Sequence, residues 1–338
     1  MATSVDSPKN DEVPGFSETD KLGPLGAKAS VLDNPSELRR MLVAEFLGAA
    51  DAAKEAASSV DRGPAKAVHE YRKALRRARA ILSLVQGALP KSERRAVRRA
   101  LQEARRSLSV ARDHAVAPDT LLQVIVGEPE RETVNTIIRN AAAAMPPTAE
   151  IKQLLAEGAA RAAAQVEALE AALPTQINWS TVMRGARSVY DDARSARKGA
   201  KRSKREFHSW RRRSKELSYQ LELLAGYAGA EVTELHAEIS AATDPQTPAV
   251  DLIMVRTFVQ TYNQGVNADS FERLLSTIDE QLADLMKSAR RAGRQAFRRK
   301  PQKFGKRLTT AMHRDHSLDE HVEDDDDDDD RHDGDPAD

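Results

Sequence analysis

Two stretches of this chain repeat each other at a fixed separation of 139 residues, and that repeat limits what the chain can fold into. Val68, Tyr71, Leu75, Ala78, Leu82 and Val85 step by 3 and 4 along the first stretch. Phe207, Trp210, Ser214, Leu217, Leu221 and Leu224 stand 139 positions further on, and only Ser214 is not apolar. A spacing of 3 and 4 is the buried seam of a helix in a bundle, so both stretches are expected to bury equivalent faces. The opposite faces match as well. His69, Arg72, Lys73 and Arg76 correspond to His208, Arg211, Arg212 and Lys215. Residues at i, i+3, i+4 and i+7 share one helical stripe, which here lies roughly 150° from the apolar seam. Coincidence of seam, His and cations at one offset points to two copies of one helical unit, each presenting a His-led basic stripe.

Helical signals run through most of the chain, which is rich in Ala, Leu, Arg and Glu and poor in β-branched runs. The expected helices are 36–59, 64–88, 91–110, 129–144, 148–172, 179–198, 204–227, 229–241, 248–263, 270–298 and 302–313, with Ser36 as the first N-cap. Pro64, Pro90, Pro118, Pro146, Pro147, Pro174, Pro245, Pro248 and Pro301 are read as the breaks between them. The fold class is therefore all-α. Residues 1–35 have no apolar period and are expected to be disordered. The helical body is 36–313, in halves of about 36–172 and 179–313. The acidic block from 314 to 338 repels itself and is expected not to fold alone.

The formal charge of zero conceals a strong polarisation. Of the 52 basic and 52 acidic residues, 48 and 33 lie between 37 and 315, a net of +15 for the body. Such a field attracts polyanions, and more strongly at low salt. There is no Cys, which excludes disulfides and thiolate metal sites. The opening residues carry acids and Pro where a signal peptide needs a basic flank and an apolar run, and no stretch approaches the roughly 20 apolar residues of a membrane span. A cytoplasmic protein with no membrane partner is the expectation.

The motif VHEYRKALRRARAIL at 68–82, with His69, Arg72, Arg76, Arg77 and Arg79, resembles the first basic helix of the CHAD family, the conserved-histidine α-helical domain. FHSWRRRSKELSYQLELL at 207–224, with His208, Arg211, Arg212, Lys215 and Tyr219, is similar to the matching helix of that family's second half. ARD at 111–113, containing Arg112, and AFRRKPQKFGKRL at 296–308 resemble further family segments, so the likeness spans about 38 to 310. AEISAATDPQTPAV at 237–250 departs from the family's pattern, which leaves the helix arrangement of 229–270 open. The resemblance implies two pseudo-symmetric four-helix bundles and non-catalytic binding of inorganic polyphosphate, often at polyphosphate granules.

Polyphosphate has no bases to read, so affinity must come from spaced cations. Arg donates a planar fork to phosphate oxygens, and Lys adds a mobile charge. To the two stripes the reading adds Arg105 from the Arg-rich stretch 92–113, and Arg197 and Lys198 from RSARKGAKRSKR at 194–205, as one continuous basic groove. No cofactor and no metal are expected, since neither His69 nor His208 has a ligand-spaced neighbour. A nucleic acid is the weaker competing partner: aromatics for base stacking are scarce, and Tyr71 and Trp210 sit in the seams. No phosphate-cradling loop of the type Gly-x-x-x-x-Gly-Lys-Ser/Thr is present, and an enzyme is not expected.

Overall fold

The computed structural model describes residues 34–124, 126–227 and 230–313, and among these the regular structure is entirely helical. The readings made of residues 1–33 and of the acidic block from 314 lie outside the described residues. In chain order the helices are α1 (Pro35–Ser58), α2 (Pro64–Leu84), α3 (Lys91–Arg106), α4 (Ser109–Leu122), α5 (Glu128–Ala143) and α6 (Thr148–Ala172). The second series is α7 (Trp179–Gly199), α8 (Lys204–Ala225), α9 (Ala230–Thr243), α10 (Gln246–Thr261), α11 (Ala268–Ala296) and α12 (Pro301–His313).

Local chemistry explains most boundaries. Asn34, rather than Ser36, caps α1: its side-chain oxygen accepts from the backbone N–H of Ser36 at 3.0 Å and of Glu37 at 3.3 Å. Pro35 at the first helical position needs no hydrogen bond for its nitrogen and fixes φ, which moves the cap one residue ahead of it. Ser203 caps α8 by accepting from Glu206 N–H at 3.2 Å. Pro64 and Pro301 open α2 and α12 as their first residues, and two other prolines read as breaks lie further inside helices. Pro248 is the third residue of α10, inside the first turn, where a missing N–H costs nothing. Pro118 lies within α4, a helix that the spacing did not reveal. It gives up the bond to the His114 carbonyl, and burial of Ala111, His114, Ala117 and Leu121 against α10 offsets the loss.

The two seams are buried as the repeat requires. Val68, Tyr71, Leu75, Ala78, Leu82 and Val85 are core residues, and so are their six counterparts, including Ser214. In the first half α2 packs on α1, and α6 closes on α1 and α3. In the second, α8 packs between α7 and α9, with α12 against α7. The second core is the more aromatic: Trp210 meets Phe207 edge-on at 5.5 Å, and Tyr190 stacks on Phe304 at 4.1 Å. The order of helices repeats between the halves, consistent with pseudo-symmetric bundles.

Helices of equal rank meet across the halves, α2 with α8, α4 with α10 and α5 with α11. The α2–α8 crossing is antiparallel, as its contacts show. Gln220 donates to the Ala80 carbonyl at 3.1 Å, Ser83 bonds Glu216, and Arg77 bonds Glu222, so one number rises as the other falls. Packing sister helices on each other brings the two basic stripes to one place.

Candidate functional site

That place is a groove of about 590 Å³. The stripes of α2 and α8 form one side, α4 and α10 the other, and Arg105 reaches in from the end of α3. From α2 come His69, Arg72, Lys73, Arg76 and Arg79; from α8 come His208, Arg211, Arg212, Lys215 and Tyr219. Arg112 of α4 completes the set that the sequence singled out. Nine cationic side chains thus line a groove that holds two carboxylates, Glu216 and Asp251.

Three expected members lie elsewhere. Arg77 is turned toward α1 and α8 and paired with Glu222. It sits about 80° around α2 from His69, at the edge of the stripe, and the carboxylate holds it there. Arg197 and Lys198 do not line the groove; they stand in the last turn of α7, on the far side of α8. The expected continuous basic path from 194 to 205 is interrupted as well, because Lys204 bonds Asp279 and Arg202 bonds Glu206 at 2.9 Å. Arg105, by contrast, is half-buried in the groove, where the sequence placed it.

The cations inside the groove fall into two groups. Arg72 donates to the Arg105 carbonyl at 3.0 Å, and its repeat partner Arg211 donates to the Thr243 carbonyl at 3.2 Å. Each thereby ties a basic helix to the carbonyl end of the helix that follows, where the dipole favours a cation. Arg211 also donates to Thr247 Oγ1 at 2.7 Å. Arg112 bonds Asp113 at 2.9 Å and Asp251 at 3.0 Å, and Lys215 reaches Asp244 at 3.3 Å. Lys73 touches Glu70 only at 4.0 Å, and Arg212 donates to Ser209 Oγ at 3.3 Å. Arg76, Arg79 and Arg105 form the second group: among the described residues they make no ion pair and no side-chain hydrogen bond, and the Nε atoms of Arg79 and Arg105 are buried without a partner.

Crowding these charges has an electrostatic consequence. Burial, then Arg105, Arg112 and Arg76, pulls Arg72 down to about 9. Burial pulls Arg79 down to about 10 against the opposing pull of Glu216, with Arg105, Arg98 and Arg212 adding repulsion. Arg211 falls to about 10, from burial first and Arg76 second. All three remain protonated at pH 7, so the crowding persists as mutual repulsion among fixed cations. His208 opens to solvent at the mouth and is hemmed in by protein on its other side. That desolvation, and then Arg212, Arg105, Arg112 and Arg211, pushes its imidazole below the ordinary 6.5. A groove of this kind is chemically complementary to a multiply charged anion.

Some of its residues escaped the sequence reading. Asp251 stands 139 positions after Arg112, on the repeat-equivalent helix, so a carboxylate replaces a cation and pairs with it. Burial raises the Asp251 pKa, while Arg112 and Arg211 oppose the rise. Extending the repeat offset beyond the basic stripes would have found this pair. Val116 had no such signal because the helix carrying it was not anticipated, and Thr247 and Val250 carry no charge that would mark them on theirs.

The fold has solved relatives. It superposes on the crystal structure of the CHAD domain from the plant Ricinus communis with a TM-score of 0.57 at 18% identity, covering 79% of this chain and 93% of that one. PptA from Streptomyces chartreusis aligns with a TM-score of 0.49 at 14% identity, over 77% of this chain and 99% of that one. No curated protein is matched by the sequence. The CHAD domain description matches residues 43–260, a span that contains both basic helices and the groove between them. With that match over most of the chain and a shared all-helical fold, the chain belongs to the CHAD domain family.

Proposed function

We propose that the chain binds inorganic polyphosphate in this groove, without chemistry on it, and associates with polyphosphate granules. The observation that carries the reading is the cluster of Arg76, Arg79 and Arg105, cations that form no ion pair and no side-chain hydrogen bond among the described residues, inside a groove that gathers nine positive side chains. A charge-assisted hydrogen bond to a phosphate oxygen would satisfy each of them. Both carboxylates of the groove are already engaged. Asp251 is held by Arg112, and Glu216 bonds Arg213 at 2.9 Å and Ser83. That supports a binding role over one in which acids hold a metal for phosphoanhydride cleavage. The test is titration of the protein with long-chain polyphosphate across a salt series, with duplex DNA as competitor at equal phosphate. Binding that weakens on the order of 10³-fold between 50 and 200 mM salt corresponds to about six neutralised phosphates. DNA that competes equally, or free phosphate released from the polymer, would overturn the reading.

Acidity should act in opposite senses on the empty and filled groove. With its folded pKa lowered, His208 takes up fewer protons than in the unfolded chain, so the empty protein loses stability as pH falls below 6.5. A bound phosphate favours the imidazolium, so affinity should rise over the same interval. Thermal melts and titrations at pH 8.0 and 5.5 read the two signs, and His208→Gln should reduce both, with His114 and His236, also lowered by burial, keeping their share of the stability change. A His208→Gln protein with an unaltered pH profile would remove His208 from the site.

A further inference from the structure

Arg197, displaced from the groove, belongs to a second cluster. Arg194 and Arg197 on α7 face Arg290 and Arg294 on α11. The Nε atoms of Arg194, Arg197 and Arg290 are buried without a partner, and none of the three forms an ion pair among the described residues. The approach is made possible by Gly293. A Cβ there would lie 2.5 Å from Cζ2 of Trp210, so the bare glycine lets α11 close on that ring, with Cδ of Arg197 alongside at 3.6 Å. The Asp192 carboxylate of α7 is committed to Arg213 at 3.2 Å. Helix dipoles account for part of the arrangement, since Arg197 and Arg294 stand in the last turns of their helices. Arg194 and Arg290 stand about a turn earlier, where that effect has faded.

We infer that this cluster is a second phosphate-binding site, and that one molecule holds two polyphosphate strands at once. The inference rests on the groove reading for the first strand. Trp210 lies about 160° around α8 from the His208 stripe, so the cluster and the groove are on opposite sides of that helix. Two anion sites on opposite sides cannot easily be served by one short segment, and they are suited to bridging. Burial of Arg197, and then repulsion from Arg294, Arg194 and Arg290, lowers its pKa, as in the groove. A bound phosphate chain would relieve that repulsion. Arg194, Arg197 and Arg290 would donate to its oxygens.

Bridging can be read in two steps on the full chain. Biotinylated polyphosphate on beads first captures the protein, and after washing a fluorescent polyphosphate is added. The intact protein should retain the fluorescent chain. The triple variant Arg194→Gln, Arg197→Gln, Arg290→Gln, checked for an unchanged thermal melt, should be captured equally well and retain at least tenfold less. The inference fails if captured intact protein retains no second chain, or if the triple variant bridges as well as the parent. Bridging by self-association would give the latter result. A triple variant that does not fold is replaced by the single substitution Arg194→Gln, which should lower retention severalfold. Failure of the first capture step would identify the groove reading as the one at fault.

Discussion

Replacing Arg76, Arg79 and Arg105 together by Gln should weaken polyphosphate binding on the order of 10³-fold and leave the empty protein as stable as before or more so. The reasoning follows from what these side chains lack. A hydrogen bond between charged groups contributes about 1.5–3 kcal/mol, roughly tenfold in affinity at the lower end, and three such residues act on one ligand. None of them holds the fold together through an ion pair or side-chain hydrogen bond, and Arg105 suffers repulsion from Arg76 and Arg212. Removing their charge therefore relieves the empty groove. Arg77→Gln is the matched control, because its guanidinium is spent on Glu222 outside the groove, and its affinity should stay within about threefold. Isothermal titration paired with thermal melts separates the outcomes. Loss of binding in proportion to loss of stability would mean that the three arginines serve packing. Unchanged binding would mean that the ligand lies elsewhere.

The largest effect on stability is expected at Gly185. A Cβ on this residue of α7 would sit 2.1 Å from the Leu84 carbonyl oxygen and under 3 Å from the Leu84 carbonyl carbon and Cα, at the end of α2. Backbone cannot rotate away as a side-chain tip can, so the helices must separate. Overpacking of this kind costs about 1–3 kcal/mol and occasionally more, against a gain of about 1 kcal/mol from replacing a helical glycine. Gly185→Val adds bulk and should lower stability by about 3 kcal/mol or more. Gly48, in the middle of α1, has open space where its Cβ would be, so Gly48→Ala should raise stability by up to about 1 kcal/mol. Denaturant unfolding of the two glycine variants should move the midpoint in opposite directions. A Gly185→Val protein as stable as the parent would show that the α2–α7 contact is looser than this geometry.

Much of the fold was legible because helices announce themselves locally. The seams from Val68 to Val85 and from Phe207 to Leu224 are apolar every 3 or 4 residues, and each is buried. Prolines were the misleading signal. Pro118 was read as a break, yet α4 passes through it, because contact with α10 outweighs one lost hydrogen bond. The break between α3 and α4 around Ser107 and Leu108 carries no Gly or Pro to mark it. Missing α4 concealed Ala115 and Val116, its apolar contribution to the groove, although Arg112 on the same helix had been singled out.

By itself the sequence determined which residues face inward and which stripes are basic, since both depend only on the angle between successive residues of a helix. It also determined that there are two such stripes, through the offset shared by His69 and His208. Only the tertiary structure decided which cations remain unpaired. Glu222 takes Arg77 from a position 145 residues away, Asp251 takes Arg112 from 139 away, and Arg197 is carried to the other side of α8. Attraction between charges acts over a few ångströms and is indifferent to chain separation, so neutralisation is settled by packing, which no local pattern records.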